Sequence, residues 1–243
     1  RVLADGEEDT FYSFSISDLL SGYTDADGDG LSISGLTATG GVLHNNNDGS
    51  YTFSPYKDLN GLVSISYNVV DGQGGITPAT QSFVLRAVND LPERKAGNIS
   101  NLTLLEDAPS TSLGLSGLVY TPGGGDDETS QVPLTYAITQ LPDGSLGRIT
   151  LADGTPISLT KGAYTLTLAQ LESLQFVAAP NATGTTTFSF SVTDTDGGSL
   201  TETLSINLVS VNDLPTLSGS KTPLPNGLED TIYTFYGSDL LLG

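Results

Sequence analysis

The side chains of this chain that could do chemistry are acids and amides, and they recur at matched positions. Glu-Asp pairs stand at residues 8–9, 106–107 and 229–230, and the pentapeptide VNDLP occurs at 88–92 and again at 211–215. Asn89 follows Asp71 by 18 positions, and Asn212 follows Asp194 by the same 18 positions. Equal spacing in two copies indicates an internal repeat that returns its acidic residues to equivalent places.

These residue types favour a hard cation. Carboxylate, amide and carbonyl oxygens suit Ca²⁺, which takes about six to eight of them. The chain has no Cys, and His44 is its only histidine, which excludes disulfides, thiol catalysis and zinc or copper sites built from Cys and His. Two carboxylates about 4 Å apart repel by about 4 kcal/mol at an effective dielectric of 20. A cluster of them therefore favours calcium, although Asp and Asn also populate turns for backbone reasons alone.

One acidic loop needs separate treatment. DADGDG places Asp25, Asp27 and Asp29 at the first, third and fifth positions of an EF-hand-like loop. The twelfth position of such a loop is a Glu, but here it is Leu36, and the segment LSISGL reads as a strand rather than a helix. The sequence therefore excludes an EF-hand at this loop.

The net charge excludes several classes of partner. Lys and Arg number 8 against 28 Asp and Glu, so the formal charge is −20. Such a surface repels nucleic acids and anionic membranes. No apolar run approaches the ~18 residues that would span a bilayer, so we expect no membrane insertion. The single His and the absence of Trp, which often forms the platforms of sugar clefts, also favour a protein that is not an enzyme.

The elements that must position the acids read as strands. In VSISYNVVD, residues Val63, Ile65, Tyr67 and Val69 alternate with smaller or polar ones, and Phe188, Phe190 and Val192 do the same in the second copy. Alternation places each set on one face of a strand. Clusters of Gly, Asn, Asp and Pro separate these runs and predict turns. The pattern predicts an all-β fold with about seven strands per copy.

Helix is predicted only as single turns. One lies in SDLL, with Ser17 as its expected N-cap, and one in LTLAQLESLQF. The latter belongs to an enlarged second copy, because Asp25 and Asp71 are 46 residues apart whereas Asp126 and Asp194 are 68 apart. We expect a sandwich at residues 1–90, a second at 91–213 with an insertion of about 22 residues within 133–180, and the first strand of a third, truncated repeat at 214–243.

The motifs in their order resemble a known family. DADGDG, YNVVDGQGG, VNDLP and the early Glu-Asp pair together resemble the bacterial cadherin-like repeats of large surface and secreted adhesins. The second copy, with TYAITQLPDGSLGRITLADGTPI, also resembles the chondroitin-sulfate-proteoglycan type of cadherin-like repeat. The resemblance implies tandem Ig-like or cadherin-like antiparallel β-sandwiches, joined end to end by short linkers, with Ca²⁺ bound at the junctions between domains.

Carried over by position, the resemblance implies three sets of metal ligands. The first junction would use Glu8, Asp58, Asn89 and Asp90, together with Asp126, Asp127 and Asp194 from the second domain. The second junction would use Glu106, Asn212 and Asp213. A further set, Asp25, Asp27 and Asp71, would face a preceding domain. The match weakens in two places, because Asn181 stands where the first copy has Asp58, and GGGDDE stands where the first copy has DADGDG.

The resemblance implies a calcium-rigidified extender segment of an extracellular adhesin, at the cell surface or secreted. Its expected partners are calcium, neighbouring repeats of the same chain, and a polysaccharide or protein on another surface. Two alternatives stay open. One is a ligand-binding module, in which the enlarged second domain grips a polysaccharide or protein. The other is an accessory region attached to a secreted hydrolase.

Overall fold

The computed structural model describes residues 2–159, 162–216, 223–224 and 226–238, and the described part is almost entirely β-structure. Seven strands come first, in agreement with the number that the sequence predicts for one copy. They are β1 (Gly6–Glu7), β2 (Tyr12–Ser15), β3 (Ser32–Ala38), β4 (Gly41–Asn45), β5 (Ser50–Pro55), β6 (Gly61–Val70) and β7 (Ile76–Arg86).

These strands form two sheets that share a core. One sheet has the order β1-β7-β6-β3, and the other has the order β2-β5-β4. Phe53 of β5 meets Phe83 of β7 edge to face at 5.7 Å between ring centroids, which joins the two sheets. The alternation predicted for β6 is confirmed, because Val63, Ile65 and Tyr67 are buried while their neighbours are partly or fully exposed.

Among the described residues of the second half there are ten strands, more than the seven or so that the sequence predicts for one copy. They are β8 (Glu93–Ala96), β9 (Leu102–Leu105), β10 (Thr111–Ser112), β11 (Val119–Thr121), β12 (Thr135–Gln140), β13 (Gly147–Thr150), β14 (Tyr164–Leu166), β15 (Gln175–Ala178), β16 (Gly184–Thr193) and β17 (Ser199–Val209). Their sheets have the orders β14-β12-β16-β17-β9, β10-β15-β13 and β11-β8. A separate core forms here around Phe176, Phe188 and Phe190.

The two halves repeat one hairpin. Strands β6 and β7 pair from Gly61↔Leu85 to Val70↔Ile76, and β16 and β17 pair from Gly184↔Leu208 to Thr193↔Ser199. In each hairpin an Asp-containing loop joins the two strands, and the second strand leads to a VND linker. The shared length of the returning strands explains the equal spacing from Asp71 to Asn89 and from Asp194 to Asn212.

Two short helices lie wholly within the described residues, and one predicted cap is wrong. Helix α1 (Ile16–Leu19) is capped by Ser15, not Ser17. A capping box requires a side-chain acceptor three residues after the cap, and Asp18 fills that place for Ser15. Helix α2 (Leu168–Glu172) lies in the predicted segment of the insertion and starts with the same box, from Thr167 and Gln170.

The insertion adds strand β14 to the edge of the large sheet through β12, and helix α2 follows it directly. Beyond Val209 no described residue lies in a strand, so the third repeat stays a prediction. Asp230 nevertheless adopts φ 61°, close to φ 55° at Asp9 and 59° at Asp107. None of the described helices is both long and apolar enough to cross a membrane.

Candidate metal centre

Glu8 links the start of the first domain to the linker. It follows β1 directly, and its backbone N–H donates to Arg86 O at 3.0 Å, which places its side chain beneath the end of β7. Its carboxylate accepts a hydrogen bond from Val88 N–H at 2.7 Å on Oε1, and Oε2 faces Asn60 Nδ2 at 3.5 Å. The residue is 2% exposed. This burial raises the pKa of Glu8, and nearby Asp127 raises it further, against the lowering effect of Val88 N–H.

Three aspartates converge beside it. One carboxylate oxygen from each of Asp9, Asp58 and Asp90 lies within 4.8 Å of the other two. Asp9 Oδ1 accepts from Asp58 N–H at 3.0 Å, and both residues have left-handed φ values, 55° and 56°. Asp and Asn tolerate that conformation better than most residues. We call Asp9, Asp58 and Asp90 the linker triad.

Asp90 is the member of the triad that lies between the domains. Its Oδ2 is buried and receives no hydrogen bond from any residue that the structure describes. Burial raises the pKa of Asp90, and the charges of Asp58 and Asp9 raise it further. Its backbone N–H donates to Glu128 Oε1 of the second domain.

Glu128 brings the second domain to the same place. It lies in the single 3₁₀ turn Asp126–Ser130 and is 1% exposed. Its Oε2 is buried and has no donor among the described residues. Burial raises the pKa of Glu128, with further upward contributions from Asp90, Asp127 and Asp194. Next to it, Asp127 accepts a hydrogen bond from Asn60 Nδ2 of the first domain.

Asp194 completes the group from the loop after β16. Its Oδ1 accepts three backbone N–H groups, from Asp196 at 2.9 Å, Gly197 at 2.7 Å and Gly198 at 2.9 Å. Its Oδ2 faces Asn89 Nδ2 at 3.3 Å. One oxygen of Asp194 thus organises the loop, and the other turns toward the linker.

The donor chemistry of this group fits calcium. It offers carboxylates from both domains and the linker, and the residues that form it include neither Cys nor His. A buried carboxylate oxygen with no donor is costly unless something positive neutralises it. Glu128 Oε2 and Asp90 Oδ2 are two such oxygens. We therefore treat the first junction as a candidate Ca²⁺ site.

The structure brings together six of the seven residues predicted for this junction. They are Glu8, Asp58, Asn89, Asp90, Asp127 and Asp194. No described hydrogen bond joins the Asp126 carboxylate to them, and only its main-chain oxygen accepts one, from Thr129 Oγ1. In the same 3₁₀ turn, Glu128 is the residue that accepts a hydrogen bond from the linker.

Three participants were missed by the sequence reasoning. Asp9 is the second member of the Glu-Asp pair, and its recurrence at Asp107 and Asp230 was the available signal. Asn60 lies two residues after Asp58, and no pattern marked it. Glu128 is the last residue of the segment GGGDDE, and the match of this segment to DADGDG predicts its two aspartates, not its glutamate, as ligands.

The second junction repeats the contacts of the first. Glu106 is buried, and its Oε1 accepts from Val211 N–H at 2.7 Å, as Glu8 does from Val88. Asp107 Oδ1 accepts from Asn181 N–H at 3.0 Å, as Asp9 does from Asp58. Asn212 Nδ2 faces Asp213 O at 3.3 Å, and Asn212 and Asp213 are exposed in the described part of the chain.

The third predicted set lies at the opposite end of the first domain. Asp25 Oδ1 accepts backbone N–H groups of Asp27 and Asp29, at 2.8 and 3.1 Å. Asp71 Oδ1 accepts those of Gln73 and Gly75, at 2.8 and 2.9 Å, and these N–H groups lower the pKa of Asp71. Asp25 and Asp71 line one small pocket, whereas Asp27 is exposed. These bonds repeat the loop geometry of Asp194.

Each half of the chain is similar to a known family of domains. Residues 1–86 match the family model described as a cadherin-like domain, and residues 89–207 match the one described as a bacterial Ig domain. No curated protein matches the sequence.

Several solved structures of cadherin ectodomains are similar to this chain. A structure of human mucin-like protocadherin EC1-2 is 15% identical and is matched over 86% of this chain and 96% of that chain, with a TM-score of 0.32. Protocadherin gamma B7 extracellular cadherin domains 1–4 are 16% identical over 75% of this chain, with a TM-score of 0.32. Mouse cadherin-23 EC22-24 is 17% identical over 74% of this chain and 53% of that chain, with a TM-score of 0.32. This chain spans 43% of the length of the gamma B7 chain.

Proposed function

We propose that this chain, a cadherin-like domain followed by a bacterial Ig domain, is a calcium-stiffened extender segment of a large extracellular adhesin. Domains of these two kinds are extracellular adhesion-type modules and are typically not enzymes. The proposal includes Ca²⁺ at the first junction, a role in an adhesin, and a location at the cell surface or outside the cell.

One observation carries it. Carboxylates from the end of the first domain, from the linker and from two loops of the second domain meet around Asp90, and two of their oxygens are buried with no donor among the described residues. A dry or half-buried group of like charges is unfavourable, and a divalent cation among them converts repulsion into attraction. An ion held by both domains removes the freedom of the linker to bend, so the role is mechanical.

The residues at the junction divide the work. Glu8, Asp9, Asp58, Asp90, Asp127, Glu128 and Asp194 would hold the ion, while the amide Nδ2 groups of Asn60 and Asn89 donate hydrogen bonds to carboxylates of this group. The backbone N–H groups that Glu8 and Asp194 accept hold these two carboxylates in place before any ion arrives. That preorganisation reduces the ordering that binding requires.

The contacts of the insertion favour the extender over the ligand-binding module. Leu166, Leu171 and Leu174, which the insertion supplies, are at most 6% exposed and belong to the second core. The added residues are thus used for packing. A glycan-array or pull-down signal that survives substitution of Asp90 would favour the ligand-binding module instead.

Calorimetric titration with CaCl₂ tests the proposal. We expect a dissociation constant between micromolar and sub-millimolar, and the weaker end of this range is typical of extracellular calcium-binding modules. Because the ion binds the folded state alone, a 100-fold excess over the dissociation constant stabilises by about 2.7 kcal/mol, so a chelator should lower the melting temperature. No heat and no thermal shift at millimolar Ca²⁺ would refute the proposal.

A further inference from the structure

We propose that Lys57 is a tethered counter-ion of the linker triad, which Ca²⁺ must displace and which therefore sets the calcium affinity of the first junction. This inference rests on the proposed function and deepens it. Lys57 Nζ lies 2.8 Å from Asp58 Oδ1 and 2.7 Å from Asp58 Oδ2, so both oxygens of this predicted ligand are already engaged by an ammonium group.

Lys57 interacts with two members of the triad, Asp58 through direct bonds and Asp90 through charge. Its pKa is raised first by the bond to Asp58, and then by the charges of Asp58, Asp90 and Glu93. Of the cations that the structure describes, Lys57 alone bonds a carboxylate of the triad, since Arg86, Arg94 and Lys95 pair with Asp5, Glu202 and Glu93. The ammonium group thus offsets part of the repulsion between Asp58 and Asp90.

Lys57 can also leave easily. Its side chain is 75% exposed, while that of Asp58 is 18% exposed. An exposed lysine has little packing to lose when it moves into solvent. The ion pair itself costs little to break, because solvent-exposed ion pairs contribute at most about 1 kcal/mol. A divalent ion with several ligands then replaces a single ammonium group on Asp58.

The second junction supports this assignment independently. Its residues equivalent to Lys57 and Asp58 are Pro180 and Asn181, and the Asn181 N–H keeps the same bond to Asp107. The carboxylate and the lysine are therefore both present at one junction and both replaced by uncharged residues at the other. Each pair has zero formal charge in the ion-free state, but only the first gains a carboxylate ligand when the lysine moves away.

The test compares Lys57→Gln with Lys95→Gln, which removes the same charge from another exposed lysine near Glu93. Calcium affinity is measured by calorimetry at low ionic strength, and the melting temperature is measured in chelator. We expect Lys57→Gln to bind Ca²⁺ about three- to fivefold more tightly, the range that an exposed ion pair is worth. Its ion-free melting temperature should fall below that of the parent protein. Lys95→Gln should change the affinity less than twofold.

Lys57→Arg, which keeps the charge, should retain the parental affinity. If Lys57→Gln binds like the parent, or like Lys95→Gln, Lys57 is not the counter-ion. A parent protein that binds no calcium refutes the proposed function instead. In that case the melting temperatures in chelator decide the inference. A lower melting temperature for Lys57→Gln than for Lys95→Gln would support it, and equal melting temperatures would overturn it.

Discussion

Glu128 has one carboxylate oxygen that accepts a hydrogen bond from Asp90 N–H and one that is buried and has no donor in the described part of the chain. Its surroundings add three other acids, Asp90, Asp127 and Asp194, which raise its pKa together with burial. A glutamate in this setting destabilises the ion-free protein, and only a bound cation makes its charge favourable.

We therefore expect Glu128→Gln to weaken calcium binding by about tenfold or more, which corresponds to about 1.4 kcal/mol. The same variant should leave the ion-free melting temperature unchanged or higher, because the amide still accepts from Asp90 and no longer repels its neighbours. Differential scanning calorimetry and calcium titration measure the two effects.

Glu172→Gln is the matched control. Glu172 Oε1 accepts from Gly117 N–H at 2.7 Å and Leu118 N–H at 3.0 Å, within the second domain. Hydrogen bonds to a charged group contribute about 1.5–3 kcal/mol, so this variant should lose stability and keep its calcium affinity. If the control loses affinity and Glu128→Gln does not, the ion lies elsewhere.

The raised pKa values of Glu8, Asp90 and Glu128 predict an unusual pH dependence. Each carboxyl binds its proton more tightly in the folded than in the unfolded chain, so folding is favoured as the pH falls through the folded pKa toward the ordinary value near 4. In chelator, the melting temperature should rise when the pH is lowered from 7 to 5. In saturating Ca²⁺ it should fall over the same interval, because protons compete with the ion. Parallel curves in the two conditions would contradict this expectation.

At the scale of elements, the Asp loops after β6 and β16 have the same form but different surroundings. A methyl group on Gly75 would collide with Asp71 Oδ2, and one on Gly198 would collide with Asp194 Oδ2. Only at Gly198 does the methyl group also reach the linker, at 2.5 Å from Asn89 Nδ2 and 2.6 Å from Asp90 O. Contacts closer than 3.0 Å force a local shift.

This pair of glycines gives a matched test of the junction. Gly198→Ala should weaken calcium binding by about tenfold or more, since it displaces Asp90 and Asp194 together. Gly75→Ala should strain its own loop to a similar degree and leave the first junction unchanged. Isothermal titration of both variants measures the difference. Equal affinities would show that the linker does not depend on this loop.

The sequence predicted most of the features that depend on residues close together in the chain, and it missed those that depend on contacts between distant residues. The faces of β6 and β16, the strand number of the first domain and helix α2 followed from residue alternation and from local spacing. The Ser17 cap failed because two serines compete, and only the position of Asp18 decides between them. Glu128 was missed because a 3₁₀ turn changes which of three adjacent acids faces the linker. Asn60 needed the approach of a second domain, which no local pattern contains.

At the scale of the whole molecule, the junction joins two independent cores through a linker of five residues. Each domain keeps its own apolar cluster, so neither needs the ion in order to fold. Polar contacts such as Asn60 with Asp127 and Asn89 with Asp194 cross between the domains, and like charges face one another around them. Without a cation, we expect these contacts to leave the angle between the domains variable.

The most direct test is small-angle X-ray scattering in millimolar Ca²⁺ on the parent, Asp90→Ala and Asp48→Ala. Asp48 lies in the β4–β5 hairpin, where its carboxylate accepts hydrogen bonds from the N–H and the hydroxyl of Ser50, two residues along the chain, so its loss stays local. Asp90→Ala removes a charged residue that we propose as a ligand, and it removes no residue of either apolar core. The account predicts that Asp90→Ala broadens the distance distribution to that of the parent in chelator, while Asp48→Ala scatters like the parent in calcium. If both variants and the parent in chelator all scatter like the parent in calcium, packing at the linker sets the angle between the domains and calcium does not.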